Sequence, residues 1–174
     1  MNRHPEHREG FTLPEVLVAV ALLGLLASLG TVGTQRQLAR MRVEAAIRRV
    51  ATGIEAGRAS ALRRGWPCGL ALSVEGWQQP AGGDLTGCAE AVRGLSEGVA
   101  AGELSLSHTL PEEVRFSANG LVLDGGTVVV GAPGTDLRRC LVMALPLGVV
   151  RLGRYGGEGG GAPSAEACQP DPTL

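Results

Sequence analysis

The sequence predicts an α+β fold in which a long N-terminal helix packs on an antiparallel β-sheet domain. Apolar residues dominate positions 11–30 and then recur every three or four positions up to about residue 64, which is the period of an amphipathic helix. After Pro67 the pattern changes to short apolar runs separated by Gly, Asn and Asp, as in antiparallel sheets. A chain of 174 residues has room for one such domain and an N-terminal extension.

The predicted helix begins with a stretch of membrane-spanning length. The polar residues 1–10 are followed by nineteen residues, Phe11 to Leu29, in which Glu15 is the only charge. A helix of that length spans a bilayer, and Arg3 and Arg8 before it favour a cytoplasmic N-terminus. The pattern therefore predicts a membrane helix over residues 11–30, with the rest of the chain outside the cytoplasm.

Glu15 needs an explanation, because a carboxylate within a bilayer costs roughly 2–3 kcal/mol or more. A cleaved secretory signal would need small residues before its cut and rarely holds an acid. A plain membrane anchor does not explain the acid, and a buried helix of a soluble domain explains neither the length nor the basic flank. A cut between Gly10 and Phe11 would create an α-amino group four residues before Glu15. That amine, on the same or a neighbouring chain, would offset the cost of the carboxylate, so we expect Glu15 to act in assembly.

The stretch GFTLPE (residues 10–15), followed by an apolar run, resembles the class III signal of type IV pilins and type II secretion pseudopilins. The resemblance implies a pilin-like fold, a leader at residues 1–10 that prepilin peptidase removes, and N-methylation of Phe11. It implies that residues 11–30 form a transmembrane and assembly helix whose Glu15 pairs with the Phe11 amine of an adjacent subunit. The protein would reside in the bacterial inner membrane as a single-pass protein, with its N-terminus cytoplasmic and its C-terminal domain periplasmic, and then enter a pilus or pseudopilus filament.

The remaining elements follow from the apolar pattern. Residues 31–66 are predicted to continue the helix as an amphipathic segment that ends at Gly65-Trp66-Pro67. An antiparallel β domain is predicted over residues 67–155, with a long loop and one helical turn within residues 79–102. The predicted strands cover residues 68–74, 103–110, 114–117, 121–123, 127–131, 139–145 and 149–154.

Two glycine-containing stretches are predicted to be hairpin turns, and the C-terminus is predicted to be irregular. Asn119-Gly120 and Asp124-Gly125-Gly126 have hairpin-turn chemistry, because Gly and Asn accept positive φ. Residues 156–174 form a Gly/Pro-rich tail, a composition typical of irregular structure.

The order of the motifs also resembles one branch of the pilin family, the GspH/FimT-like minor pilins and pseudopilins. The matching stretches are GRASALRRG (57–65), VRFSANG (114–120) and RRCLVMALPLGVVRLGR (138–154). The resemblance implies a structural subunit that joins or primes a type IV pilus or a type II secretion pseudopilus. Its partners would be other pilin or pseudopilin subunits, prepilin peptidase and the inner membrane.

Four cysteines, Cys68, Cys88, Cys140 and Cys168, lie on the expected oxidising side of the membrane. Four cysteines allow three connectivities, and the sequence does not choose among them. We favour Cys68 with Cys88 and Cys140 with Cys168, because each bridge would join a strand to a flexible stretch, the second tying down the tail. A zinc site is less favoured, because the chain lacks a CxxC motif and has only three histidines.

No group of residues has the spacing of a catalytic site, so we expect no enzyme activity, no cofactor and no metal. His108 lies in a strand-like stretch without a nucleophile-elbow motif and is expected to be a satisfied or exposed strand histidine. The adjacent Glu112 and Glu113 would point to opposite faces of a strand. The glycine runs lack the lysine and the strand-to-helix context of a phosphate loop.

DNA is the alternative partner. FimT-like pilins of DNA uptake resemble one another in a Gly-Arg-x-Arg element, and here Gly148-Val149-Val150-Arg151 stands at the matching place without the first arginine. Arg154 is a substitute candidate, and Arg138 and Arg139 could add charge. Residues 67–174 hold six arginines against twelve acids, a net charge of −6, which opposes phosphate binding. A structural role is therefore the favoured prediction.

Overall fold

The chain forms two compact units, Met1–Gln37 and Leu38–Leu174. The computed structural model describes residues 12–82, 85–88, 93–94, 104–145, 148–157 and 160–171. The predicted leader at residues 1–10 and the predicted cleavage position at Phe11 lie outside these described residues.

One helix, α1, runs from Leu13 to Arg64. At its start the carbonyl of Thr12 accepts hydrogen bonds from the N–H groups of Glu15 (3.0 Å) and Val16 (3.2 Å). At its end Gly65 adopts a φ of 66° and donates its N–H to the carbonyl of Ala61 (2.9 Å), which is a common glycine-terminated helix end. The predicted end of the helix at Gly65-Trp66-Pro67 is confirmed.

The described strands form two antiparallel sheets. In chain order they are β1 (Cys68–Ser73), β2 (Gly76–Gln78), β3 (Arg93–Gly94), β4 (Ser105–His108), β5 (Val114–Phe116), β6 (Gly126–Gly131), β7 (Arg139–Ala144), β8 (Val149–Tyr155) and β9 (Cys168–Pro170). One sheet has the order β3-β2-β1-β5, and the other has the order β4-β6-β7-β8-β9.

The core lies between the second half of α1 and the two sheets. Val43, Ile47, Val50 and Ile54 are fully buried and recur at the three- and four-residue spacing of one helix face. They belong to one cluster with apolar side chains of both sheets. The indole N–H of Trp77 donates to the carbonyl of Val50 at 3.1 Å. This arrangement confirms the predicted α+β fold.

The segment between the two sheets differs from the prediction. Residues 121–123 were predicted to be a strand, but they make a single bridge, Phe116 to Val122. The predicted turn Asn119-Gly120 is present, and Gly120 has a φ of 72°. The stretch Asp124-Gly125-Gly126 is not a hairpin turn, because β6 pairs with β4 and β7. It carries the chain from one sheet to the other instead.

Two short strands lie where the sequence pattern did not indicate them. Residues 76–78 form a strand that the sequence pattern did not indicate. The tail is not wholly irregular, because its residues 168–170 pair with β8. Within the predicted loop 79–102, the described residues include the short strand β3. Residues 83–84, 89–92 and 95–102 lie outside the described residues, so the predicted helical turn stays a prediction.

Two disulfides cross-link the β domain, the first between a strand and a loop and the second between two strands. Cys68 is bonded to Cys88 with a Cα–Cα distance of 5.2 Å, and Cys140 is bonded to Cys168 with a Cα–Cα distance of 5.8 Å. These are the two pairings that the sequence analysis favoured. The second bridge attaches the C-terminal strand β9 to β7.

Candidate functional site

The first candidate site is the N-terminal part of α1, residues 12–26, in which every side chain is exposed. The exposed fraction of its large apolar side chains ranges from 49% at Val16 to 75% at Leu13. An apolar surface of this extent is typical of a region that contacts another protein or a membrane. Among the described residues, no helical stretch is both long enough and apolar enough to cross a membrane.

Glu15 lies in the first turn of this exposed helix. With Thr12 preceding the helix, Glu15 occupies its third position, which is the Thr-x-x-Glu spacing of a capping box. A carboxylate there also interacts favourably with the helix dipole, by about 0.3–1 kcal/mol. This Thr-x-x-Glu spacing is visible in the sequence, but it was not used in predicting the start of the helix. Glu15 therefore suits a helix start, and its exposed side chain remains accessible to a partner.

The four candidate DNA-binding arginines do not form one cluster. In the β7–β8 register Arg139 lies opposite Arg154, whereas Arg151 lies opposite Val142. Side chains alternate along a strand, so Arg139 and Arg154 share the face of Leu141, which packs toward α1. Arg151 shares the opposite face with Val142, which belongs to a separate cluster. We call that opposite face the outer face.

Arg139 is a buried cation held by two carboxylates. Its Nη2 donates to Glu44 of α1 at 2.9 Å, and its Nη1 donates to Asp171 of the tail at 2.6 Å. Burial by itself lowers the pKa of the Arg139 guanidinium, but the hydrogen bonds to Asp171 and Glu44 outweigh burial and raise it above its ordinary value. Arg139 therefore joins helix, sheet and tail, and its position is not that of an exposed phosphate contact.

Arg138 is half-buried and is also engaged. Its guanidinium carbon lies 5.3 Å from the centroid of the Tyr155 ring, within the range of a cation–π contact. Its Nη2 donates to the carbonyl of Gly157. Arg151 and Arg154, by contrast, are exposed. These two are the candidates that the structure leaves accessible, and they lie on different faces of the sheet.

The other titratable residues that the sequence singled out do not converge. His108 is half-buried, and its Nδ1 is buried without a hydrogen-bond partner among the described residues, so it is neither the satisfied nor the exposed histidine that was expected. Glu112 is exposed and Glu113 is half-buried. In the part of the chain that the structure describes, no three His, Cys, Asp or Glu side chains are placed to hold a metal ion.

Comparisons with known proteins match two regions of the chain. A family model described as prokaryotic N-terminal methylation motif matches residues 7–31. A second, described as type II transport protein GspH, matches residues 46–146, which is more than half of the chain. Searches of curated proteins and of solved structures each returned no match.

Proposed function

We propose that this chain, which belongs to the type II transport protein GspH family, is a minor pilin or pseudopilin. It would join or prime a filament. In this role it is a structural, non-catalytic subunit. The observation that carries the proposal is the contrast within α1, where apolar side chains are exposed over residues 12–26 and fully buried at Val43, Ile47, Val50 and Ile54. The described residues of the subunit do not bury these apolar side chains. The segment is therefore suited to contact with other subunits or with a membrane.

The proposed processing explains Glu15. Prepilin peptidase would cut between Gly10 and Phe11 and methylate Phe11, within the region that matches the methylation motif. The new terminal amine would be a cation close to Glu15 in sequence. Because a carboxylate in apolar surroundings is stabilised by a cationic partner, the Phe11 amine of one subunit would pair with Glu15 of its neighbour as the filament grows.

The proposed location before assembly is the bacterial inner membrane. Residues 11–30 would lie in the bilayer, with Arg3 and Arg8 on the cytoplasmic side. The β domain would lie in the periplasm. Its two disulfides support that placement, since such bonds form and persist in oxidising compartments.

The experiment that tests the proposal is processing of the full chain by a co-expressed prepilin peptidase, followed by mass spectrometry of the intact protein. We expect the mass of a chain that begins at Phe11 and carries one added methyl group. A Gly10→Val variant should keep residues 1–10, because a branched side chain then stands at the cut. If the wild-type chain stays uncut while the same peptidase processes a known pilin, the proposed function is wrong.

A second candidate function is DNA binding in DNA uptake, and the exposure of Arg151 and Arg154 is the observation that favours it. Two phosphate contacts would give binding that weakens steeply with salt and ignores DNA sequence. The test is a salt titration of DNA binding by the full chain, with Arg151→Ala/Arg154→Ala as the variant. Binding that the double variant loses supports this function, and absence of binding at low salt rejects it.

A further inference from the structure

The outer face of the five-stranded sheet contains a cavity of about 220 Å³, which we call the sheet cavity. Its floor is formed by β4 and β6, through Ser105, Ser107 and Gly131 among others. Arg138 and Tyr155 form one wall, and tail residues that include Pro163 form another. All of these elements belong to the unit Leu38–Leu174.

The cavity is open because its floor lacks a side chain at Gly131. A Cβ atom at this position would lie 2.8 Å from Ser105 Oγ and 3.5 Å from Arg138 Cγ. The first distance is shorter than van der Waals contact allows, so the space between the serine and the arginine depends on glycine. Pairing in the sheet places Ser105 directly opposite Gly131 and Ser107 opposite Val129, and both hydroxyls therefore point to the outer face.

Among the described residues that line the cavity, Arg138 is the charged one. The Tyr155 ring lies beneath its guanidinium, and the Gly157 carbonyl accepts from Nη2, so two contacts hold its planar head in one orientation. Its Nε and Nη1, like the hydroxyls of Ser105 and Ser107, have no hydrogen-bond partner among the described residues. Tyr155 is itself fixed, because its hydroxyl accepts the N–H of Ser164 at 3.3 Å.

We propose that the sheet cavity binds a small oxyanion group, a carboxylate or a phosphate. An oriented guanidinium with free N–H groups is the side chain best suited to such oxygens, and charge-assisted hydrogen bonds are about twice as strong as neutral ones. The serine hydroxyls add two further donors on the same side. The described lining residues carry one positive charge, whereas residues 67–174 carry a net charge of −6.

The experiment uses the fact that Tyr155 is the only tyrosine of the chain. Full-length protein in detergent, labelled with fluorotyrosine, should give one fluorine NMR signal. Inorganic phosphate and acetate are titrated separately at constant ionic strength, with chloride as the reference. We expect a saturable shift with at least one oxyanion and none with chloride, and the comparison of phosphate with acetate distinguishes the two sources of the group. A shift that follows ionic strength alone overturns the proposal.

Two variants locate the site. Arg138→Gln should weaken binding by about tenfold or more, as loss of a charged hydrogen-bond donor predicts. Arg64→Gln removes the same charge at the exposed end of α1, away from the residues that line the cavity, and should leave binding unchanged. Gly131→Ala fills the floor and should weaken binding without altering charge, which keeps the test valid if Arg138→Gln fails to fold. Equal effects of Arg138→Gln and Arg64→Gln would contradict the site. They would leave the proposed assembly function untouched, because that function is tested by processing at Gly10.

Discussion

Two stretches of the same helix have similar apolar side chains and opposite surroundings. From residue 13 to residue 26 the large apolar side chains are 49–75% exposed, whereas Val43, Ile47, Val50 and Ile54 are 0% exposed. The two sheets cover the second stretch, and the described residues leave the first uncovered. Burial within the chain therefore explains the apolar side chains of only the second of these two stretches. The exposed apolar side chains of the first half of α1 are available for the contacts that the proposed function assigns to them.

The largest loss of stability should follow a substitution that disrupts packing against the buried second half of α1. Trp77 is fully buried against α1, and a Cβ at Gly53 of that helix would overlap its indole ring. Trp77→Ala should lower the free energy of unfolding by about 4 kcal/mol, as expected when a buried tryptophan leaves a cavity. The matched control is Trp66→Ala, because Trp66 is 74% exposed, and its effect should stay within about 0.5 kcal/mol. Denaturant unfolding followed by circular dichroism measures both, and equal losses would contradict this packing.

A smaller effect should follow loss of the cation that joins helix, sheet and tail. Arg139→Met removes the guanidinium that pairs with both Glu44 and Asp171. Breaking a buried ion pair costs several kcal/mol, but here both carboxylates are partly exposed, so we expect about 2 kcal/mol less stability. Arg151→Met on the neighbouring strand is the control and should be close to neutral. A neutral Arg139→Met would mean that the helix and tail are held by packing alone.

A pH-dependent effect should appear at the connection between the two sheets. The hydrogen bond from Arg115 lowers the pKa of Asp124, with the N–H of Arg115 adding to it. A carboxyl with a lowered pKa in the folded state stabilises the fold above its unfolded pKa, and this contribution is lost as pH falls through the folded pKa. Asp124→Asn should therefore lower the melting temperature at pH 7 and have a diminishing effect below about pH 4. A difference that stays constant from pH 7 to strongly acidic pH would contradict the ion pair.

The smallest effect on the stability of the fold should follow a substitution in the exposed first half of α1. Leu23 is 65% exposed and Ile47 is 0% exposed, so the pair compares the two stretches directly. Leu23→Ala should change the free energy of unfolding of the β domain by less than about 0.5 kcal/mol, whereas Ile47→Ala should cost about 3 kcal/mol. A large loss from Leu23→Ala would show that the first half of α1 is covered within the subunit after all.

Much of the fold could be predicted from the sequence because its signals are local. The end of α1 follows from Gly65 and Pro67, and the turn at Gly120 follows from its need for positive φ. The tail strand β9 could not be predicted, because its three residues are placed by pairing with β8 and by the Cys140–Cys168 bridge. Such short strands depend on distant partners that a local pattern does not show.

The candidate sites were predictable to different degrees. The exposed apolar segment and Glu15 stand out in the sequence, because a lone acid at the start of an apolar run is conspicuous. Arg151 became a candidate through its match to a Gly-Arg-x-Arg element, with Arg154 as its substitute. The strand register then separated these two arginines onto different faces. The ion pair between Arg139 and Glu44 joins residues 95 positions apart, and no local pattern could indicate it. The sheet cavity likewise depends on Gly131 lying opposite Ser105.

The central claim is that Glu15 serves assembly rather than folding, and one measurement tests it most directly. Full-length Glu15→Ala is expressed beside the other subunits of its filament, and its incorporation is compared with that of Glu55→Ala, an exposed acid in the covered half of α1. We predict that Glu15→Ala enters the membrane with an intact β domain but is missing from filaments, while Glu55→Ala is incorporated as the wild type is. Normal incorporation of Glu15→Ala would contradict the account.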